Sequence, residues 1–138
     1  MKRAPFFIPR SGRMEVPEID DEHKEIVEAL DQVRQHIDEG QEANLAKTRE
    51  VGNSLVSHFR SEERLMQDYH YLHLPQHIIH HDQSLGMIYR ILGNCENLGR
   101  VEIEDLRSLY RVLIDDIFSA DMHFSAYLLD IGAAGRGA

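Results

Sequence analysis

Four histidines are crowded into the stretch HLPQHIIHH, residues 73–81. Histidine is the commonest metal ligand in proteins and the side chain that titrates near neutral pH. His77 and His81 are four residues apart, a spacing that places both side chains one turn apart on the same face of a helix. His58 and Glu62 have the same spacing, so each pair can direct two donor atoms at a common point. The two pairs together indicate a metal-binding protein.

Four segments show the spacing that would position these residues on amphipathic helices. Hydrophobic residues recur three and four positions apart, and no segment shows the sustained alternation of a strand bounded by hairpin signals. Short connections make sequence neighbours antiparallel, so we predict an all-α, up-down-up-down four-helix bundle. The four stripes run from Ile19 to Ile37, from Val51 to Tyr69, from Leu74 to Leu92 and from Leu106 to Leu128.

The length of 138 residues predicts one domain, 1–138, with one core. We expect the bundle to span about residues 17–131, with an irregular N-terminal segment, 1–16, lying against it and a flexible tail at 132–138. The last helix would run for about 28 residues, or roughly 40 Å at 1.5 Å per residue.

The composition argues against several classes of protein. A net charge of −9 disfavours binding to nucleic acid or to an anionic membrane, both of which need clustered basic residues. No stretch approaches the ~20 apolar residues of a membrane span, and the N-terminal apolar run is too short for a signal peptide. Cys95 is the only cysteine, so no intrachain disulfide can form. We expect a cytoplasmic protein that binds neither membranes nor nucleic acid.

Six ionisable residues occupy inward positions of the helical stripes, where apolar residues belong. An unpaired buried ionisable group costs several kcal/mol or shifts its pKa until it is neutral. Six of them would threaten a domain whose net stability is only about 5–15 kcal/mol. A metal cluster would satisfy them together, and a chain of buried hydrogen bonds is the alternative. The six residues are His23, His58, Glu62, His77, His81 and Asp121.

The other histidines fit the site less well. Pro75 suits the first turn of the third helix, which leaves His73 outside that helix. His80 is one position away from the face that carries His77 and His81. We therefore expect four histidines to face solvent, namely His36, His70, His73 and His80.

Three motifs resemble the ligand segments of the hemerythrins, specifically the single-domain bacteriohemerythrins, over roughly Met14 to Leu129. They are VPEIDDEHKEIVEAL, HFRSEERLM and PQHIIHHDQSL. The resemblance implies a four-helix bundle around a non-haem centre of two iron ions, joined by carboxylates and an oxo or hydroxo bridge. By this resemblance Glu62 and Asp121 bridge the irons. His23 and His58 would bind the iron whose open position takes dioxygen, and His77 and His81 would bind the other, coordinatively full iron.

The fourth helix departs from the family pattern His-x-x-x-x-Asp, because Asp116 stands five residues before Asp121. Asp116 has three interpretations: a carboxylate ligand, a carboxylate that holds a metal-bound water, or a surface residue beside Asp115. His123 is a poor substitute, because two residues along a helix separate it from Asp121 by about 200°.

Two tryptophans common in the family are replaced by Met14 and Val112. The apolar wall of the expected oxygen pocket is retained as Leu113 and Ile117, to which Phe59 could contribute. The function implied is reversible binding of dioxygen, or of another small diatomic ligand, for storage, delivery or sensing.

The alternatives are a di-iron redox enzyme, such as a peroxidase, an oxidase or a nitric-oxide-handling protein, and a sensory or structural bundle with a vestigial oxygen site. We expect a binding protein rather than an enzyme, present as a monomer or a weak homo-oligomer. The sequence names no protein partner.

Overall fold

The computed structural model describes residues 6–12 and 16–132, without the side chain of Ala120. Within these residues the chain is helical and contains no strand. Residues 1–5 and 13–15 of the predicted N-terminal segment, Met14 among them, and residues 133–138 of the predicted tail lie outside the described residues. The helices are α1 (Pro17–Gln35), α2 (Gln41–Asp68), α3 (Leu74–Leu98), α4 (Ile103–Asp116) and α5 (Met122–Asp130), with a π-helical turn at Ile117–Asp121 between the last two.

The helices form the predicted all-α four-helix bundle. α2 packs against α1 and α3, α4 packs against α3, and α1 also contacts α4, which closes the bundle. The fourth helix of the bundle consists of α4, the π-helical turn and α5, and it is helical from Ile103 to Asp130. Its extent agrees with the length expected from the sequence, but its pitch changes in the middle.

The helix ends follow from local sequence. Pro17 lies in the first turn of α1, where its missing N–H costs no hydrogen bond. At the start of α4, the Glu102 side chain and the Asp105 side chain each accept a hydrogen bond from the other residue's backbone N–H. α3 ends at Leu98 and is capped by Gly99, whose φ of 70° favours glycine. There the N–H groups of Gly99 and Arg100 both donate to the carbonyl of Cys95.

The apolar core is divided into two clusters. The larger one contains the fully buried Leu30, Leu55 and Leu109, and the smaller one contains Met66 and Phe124. Each helix of the bundle contributes apolar side chains to both clusters. The ionisable residues of each helix lie between these two sets of apolar side chains. The two clusters therefore enclose a polar layer that crosses the bundle.

Residues 6–12 lie against α1 and α4. The Phe6 ring stacks on Tyr110, with 4.9 Å between ring centroids, and the Phe6 N–H donates to an Asp31 carboxylate oxygen at 3.2 Å. The Tyr110 hydroxyl donates to the Phe7 carbonyl at 2.5 Å. Among the described residues, no helix is long and apolar enough to cross a membrane.

Candidate metal centre

Seven ionisable side chains meet in the polar layer between the two apolar clusters. One comes from α1, two from α2 and two from α3, and the fourth helix contributes the last two at the ends of its π-helical turn. None of the seven is more than 4% exposed. The structure therefore brings together every residue that the sequence analysis placed at the metal site. They are His23, His58, Glu62, His77, His81, Asp116 and Asp121.

The seven side chains form two overlapping groups, in each of which the donor atoms lie within 4.8 Å of one another. Glu62 and Asp121 belong to both groups, because each turns its two oxygens in different directions. One Glu62 oxygen lies 3.3 Å from His58 Nε2 and the other 3.1 Å from His81 Nε2. One Asp121 oxygen lies 3.2 Å from His23 Nε2 and the other 3.3 Å from His77 Nε2. This arrangement suits two adjacent metal ions with two shared carboxylates.

The π-helical turn explains how Asp116 and Asp121 reach the same centre. In a regular α-helix, side chains five residues apart point about 140° away from each other. The turn at Ile117–Asp121 has the wider spacing of a π-helix, in which residues five apart are hydrogen-bonded neighbours. Asp116 is therefore fully buried, while Asp115 is exposed, and the interpretation of Asp116 as a surface residue is wrong. His123 is exposed and belongs to neither group of donors.

The electrostatics of the centre favour a cation. Burial, together with repulsion from the carboxylates of Asp121 and Asp116, raises the pKa of Glu62 well above its usual value. Burial would also raise the pKa of Asp121, but hydrogen bonds from His23 and His77 outweigh it and hold that pKa well below its usual value. Both Glu62 oxygens and both Asp116 oxygens are buried without a hydrogen-bond partner among the described residues. Metal ions would satisfy these oxygens and remove the repulsion.

The chemistry of the donor set also fits the implied metal. Four imidazoles and three carboxylates converge on the centre. Mixed nitrogen and oxygen ligands suit first-row transition metals such as iron, whereas a thiolate-rich site would favour zinc or copper(I). The residues present therefore fit a di-iron-type metal centre.

Two further carboxylates orient the imidazoles from outside the centre. A Glu22 oxygen lies 2.7 Å from His58 Nδ1, and a Glu63 oxygen lies 2.7 Å from His81 Nδ1. Because a carboxylate only accepts hydrogen bonds, each Nδ1 carries the proton and each Nε2 lone pair is free to bind a metal. Burial would raise the pKa of Glu22, but the hydrogen bond from His58 lowers it overall. Residue spacing gave no sign of either carboxylate, although each stands directly beside a predicted ligand.

The structure changes the assignment of one histidine. His36, His70 and His73 are exposed, as expected. The side chain of His80, which we expected to face solvent, is only 31% exposed, and its Nε2 lies 3.4 Å from an oxygen of Asp116. The expectation failed because Asp116 enters the site on the flank of α3 that His80 occupies, one position away from the face of His77 and His81.

The three residues expected to line the oxygen pocket are fully buried in the larger apolar cluster. The Phe59 ring stacks on the His81 ring, with 4.2 Å between centroids, and lies 5.9 Å from the His58 ring. Leu113 and Ile117 come from the fourth helix on the approach to Asp121. Apolar side chains therefore adjoin the metal centre, while their role as an oxygen pocket stays a prediction.

Comparison with known proteins assigns the chain to a family. None of the curated proteins compared with it matches. The family model described as the hemerythrin HHE cation binding domain matches residues 14–128. This range covers most of the chain and includes all seven side chains of the metal centre, together with Glu22 and Glu63. The chain therefore belongs to the hemerythrin family.

Proposed function

We propose that this protein is a non-haem di-iron protein that binds dioxygen reversibly for storage, delivery or sensing. The observation that carries the proposal is the inequality of the two donor groups around the shared carboxylates Glu62 and Asp121. The group with His23 and His58 has four donor residues, whereas the group with His77 and His81 has five, because Asp116 joins it. An ion held by fewer protein ligands keeps room for a small exogenous ligand.

The surrounding residues support binding rather than turnover. A bound di-iron pair supplies two electrons that can be shared with dioxygen and recovered when it leaves. Glu22 and Glu63 hold two imidazoles in the orientation that metal binding requires. Phe59, which stacks on a ligand imidazole, and the neighbouring core exclude water from the centre. We assign no residue as a catalytic acid or base, and we propose that the protein is not an enzyme.

A cavity gives a small ligand access to the group of four donors that contains His23 and His58. It has a volume of about 620 Å³ and lies between the N-terminal segment and α1. Its wall includes Phe6, Ile8 and Val27, and it reaches His23. Charged side chains from the N-terminal segment and α1 line the same wall, so the cavity offers access to His23 without selecting by itself between an uncharged and a charged ligand.

A di-iron redox enzyme is the second candidate, and Asp116 favours it. Asp116 brings the number of buried carboxylates in the centre to three. Extra oxygen donors stabilise the ferric state, because hard anionic ligands favour the more highly charged ion. Such a centre would consume dioxygen or peroxide instead of releasing dioxygen.

Metal analysis combined with cycles of oxygenation distinguishes the candidates. We expect two irons per chain and an optical spectrum that appears when the reduced protein meets dioxygen and disappears when dioxygen is removed, over repeated cycles. His58→Ala should abolish this response, while His36→Ala, which alters an exposed histidine of no assigned role, should preserve it. Continuous consumption of dioxygen or peroxide with an added reductant would favour the enzyme. A protein that binds no iron would refute both candidates. The cytoplasmic location and the monomeric or weakly associated state remain predictions.

A further inference from the structure

One imidazole close to the metal centre has no role in the arrangement described so far. His80 Nε2 is buried and has no hydrogen-bond partner among the described residues, although other parts of the side chain reach solvent. A buried polar nitrogen without a partner loses its hydration without compensation. His80 Nε2 therefore needs a partner, and it lies close to the carboxylate of Asp116 at the metal centre.

Three imidazole nitrogens surround the same oxygen of Asp116. His81 Nε2 lies 3.2 Å from it, His80 Nε2 3.4 Å and His77 Nε2 3.9 Å. The three histidines occupy positions i, i+3 and i+4 of α3, which are neighbours on one side of a helix. His80 is thus placed to bind the ion that His77 and His81 would hold.

The ring of His80 also has room to move. A cavity of about 190 Å³ lies between α3 and the π-helical turn, and its wall includes His77, His80 and Ser119. His80 is not among the donors that lie within 4.8 Å of one another, so its ring must turn slightly inward to bind the same ion. The cavity leaves space beside the ring for a change of rotamer.

We propose that His80 is an additional metal ligand, which binds the same ion as His77, His81 and Asp116. This ligand raises the number of imidazoles at the centre from four to five. The inference rests on the metal-binding part of the proposed function and is independent of dioxygen binding. If His80 instead only donates a hydrogen bond to Asp116, it is a positioning residue, and His80→Ala removes no metal-bound imidazole.

The test uses the apoprotein, cobalt(II) and a competing chelator in the absence of air. We expect the native chain to bind two cobalt ions. His80→Ala should weaken the binding of one of them by at least about tenfold, because it removes a donor, and should leave the other unchanged. His73→Ala is the matched control, because the His73 side chain lines the same cavity but is exposed, and the ring contact recorded for it is with Tyr71, outside the centre.

Proton NMR of the cobalt-loaded protein separates a ligand from a positioning residue. Each imidazole bound to paramagnetic cobalt contributes its own set of strongly shifted ring protons. His80→Ala should remove one set, and His73→Ala should remove none. An unchanged number of sets in His80→Ala would overturn the proposal, even if the affinity falls.

Asp116→Ala provides a second readout in a different background, because it removes the carboxylate through which a positioning residue would act. If His80 binds the ion itself, His80→Ala should weaken cobalt binding further in that background. No further loss there would overturn the proposal. A native chain that binds no cobalt or iron at all would instead refute the proposed function itself.

Discussion

Two carboxylates outside the metal centre should each affect the binding of only one of the two metal ions. Glu63 accepts a hydrogen bond from His81 on one side of the centre, and Glu22 accepts one from His58 on the other, both at 2.7 Å. Glutamine keeps the size of glutamate and can still accept the imidazole proton, but it lacks the charge. Glu63→Gln should therefore weaken the ion bound by His81, and Glu22→Gln the ion bound by His58.

The size of the effect follows from the burial of each carboxylate. A hydrogen bond to a charged group contributes about 1.5–3 kcal/mol and a neutral one about 1 kcal/mol, so the loss in Glu63→Gln is about 0.5–2 kcal/mol. The middle of this range corresponds to roughly tenfold weaker binding of one ion. The Glu63 side chain is 14% exposed, whereas that of Glu22 is 34% exposed and more strongly screened by solvent. Glu22→Gln should therefore cost less than tenfold.

The assay is an anaerobic titration of the apoprotein with iron(II) against a chelator, analysed with two dissociation constants. Glu25→Gln is the matched control, because it removes the same charge from an exposed position on α1. Glu63→Gln should weaken one constant, Glu22→Gln the other, and Glu25→Gln neither. An equal loss in all three variants would trace the effect to net charge and refute the role of the hydrogen bonds. Unchanged constants in Glu63→Gln would refute it as well.

Three further predictions concern the centre and the bundle that holds it. Glu62→Ala should reduce the iron content well below two per chain, because it removes a donor shared by both groups, and full occupancy in this variant would show that the cluster is wrongly assigned. Gly86→Ala should raise the free energy of unfolding in urea by up to about 1 kcal/mol, since its Cβ would enter open space in the middle of α3. Gly52→Ala should give no such gain, because its Cβ would come within 2.6 Å of a leucine side chain on α3. A hydrogen bond from Arg34 lowers the pKa of Asp31 in the folded protein. The ionised Asp31 therefore stabilises the fold above its unfolded pKa of about 3.9, and this stabilisation is lost as the pH falls through the folded pKa. Asp31→Asn should therefore be less stable than the native chain at pH 7, and this difference should shrink at about pH 3; a difference independent of pH would contradict the assignment.

Local sequence was enough to predict the helices and six of the seven residues that meet at the centre. The periodicity of an amphipathic helix is a local property, so a histidine or glutamate inside an apolar stripe can be identified without knowledge of the fold. His58 and Glu62 illustrate this, because their spacing alone places both on one face. The need of such buried groups for a common partner then predicts a cluster.

Residues beside the stripes could not be assigned in this way. Glu22 and Glu63 adjoin predicted ligands, but adjacent residues on a helix point about 100° apart. Whether such a residue faces solvent or the next helix depends on how the helices are rotated against each other. His80 was misassigned for the same reason, since its flank of α3 becomes part of the centre only where the fourth helix packs against it.

The sequence by itself determined the four helical segments, the polar positions inside their stripes and the motifs of the hemerythrin family, because all of these are properties of short stretches of chain. Only the tertiary structure decided the placement of Asp116. A regular helix would turn Asp116 away from Asp121, and the π-helical turn at Ile117–Asp121 brings both to the centre. Such a turn has poorer local geometry than an α-helix and no signal in residue spacing. Packing against the other helices, which exists only in the folded bundle, holds the turn in place.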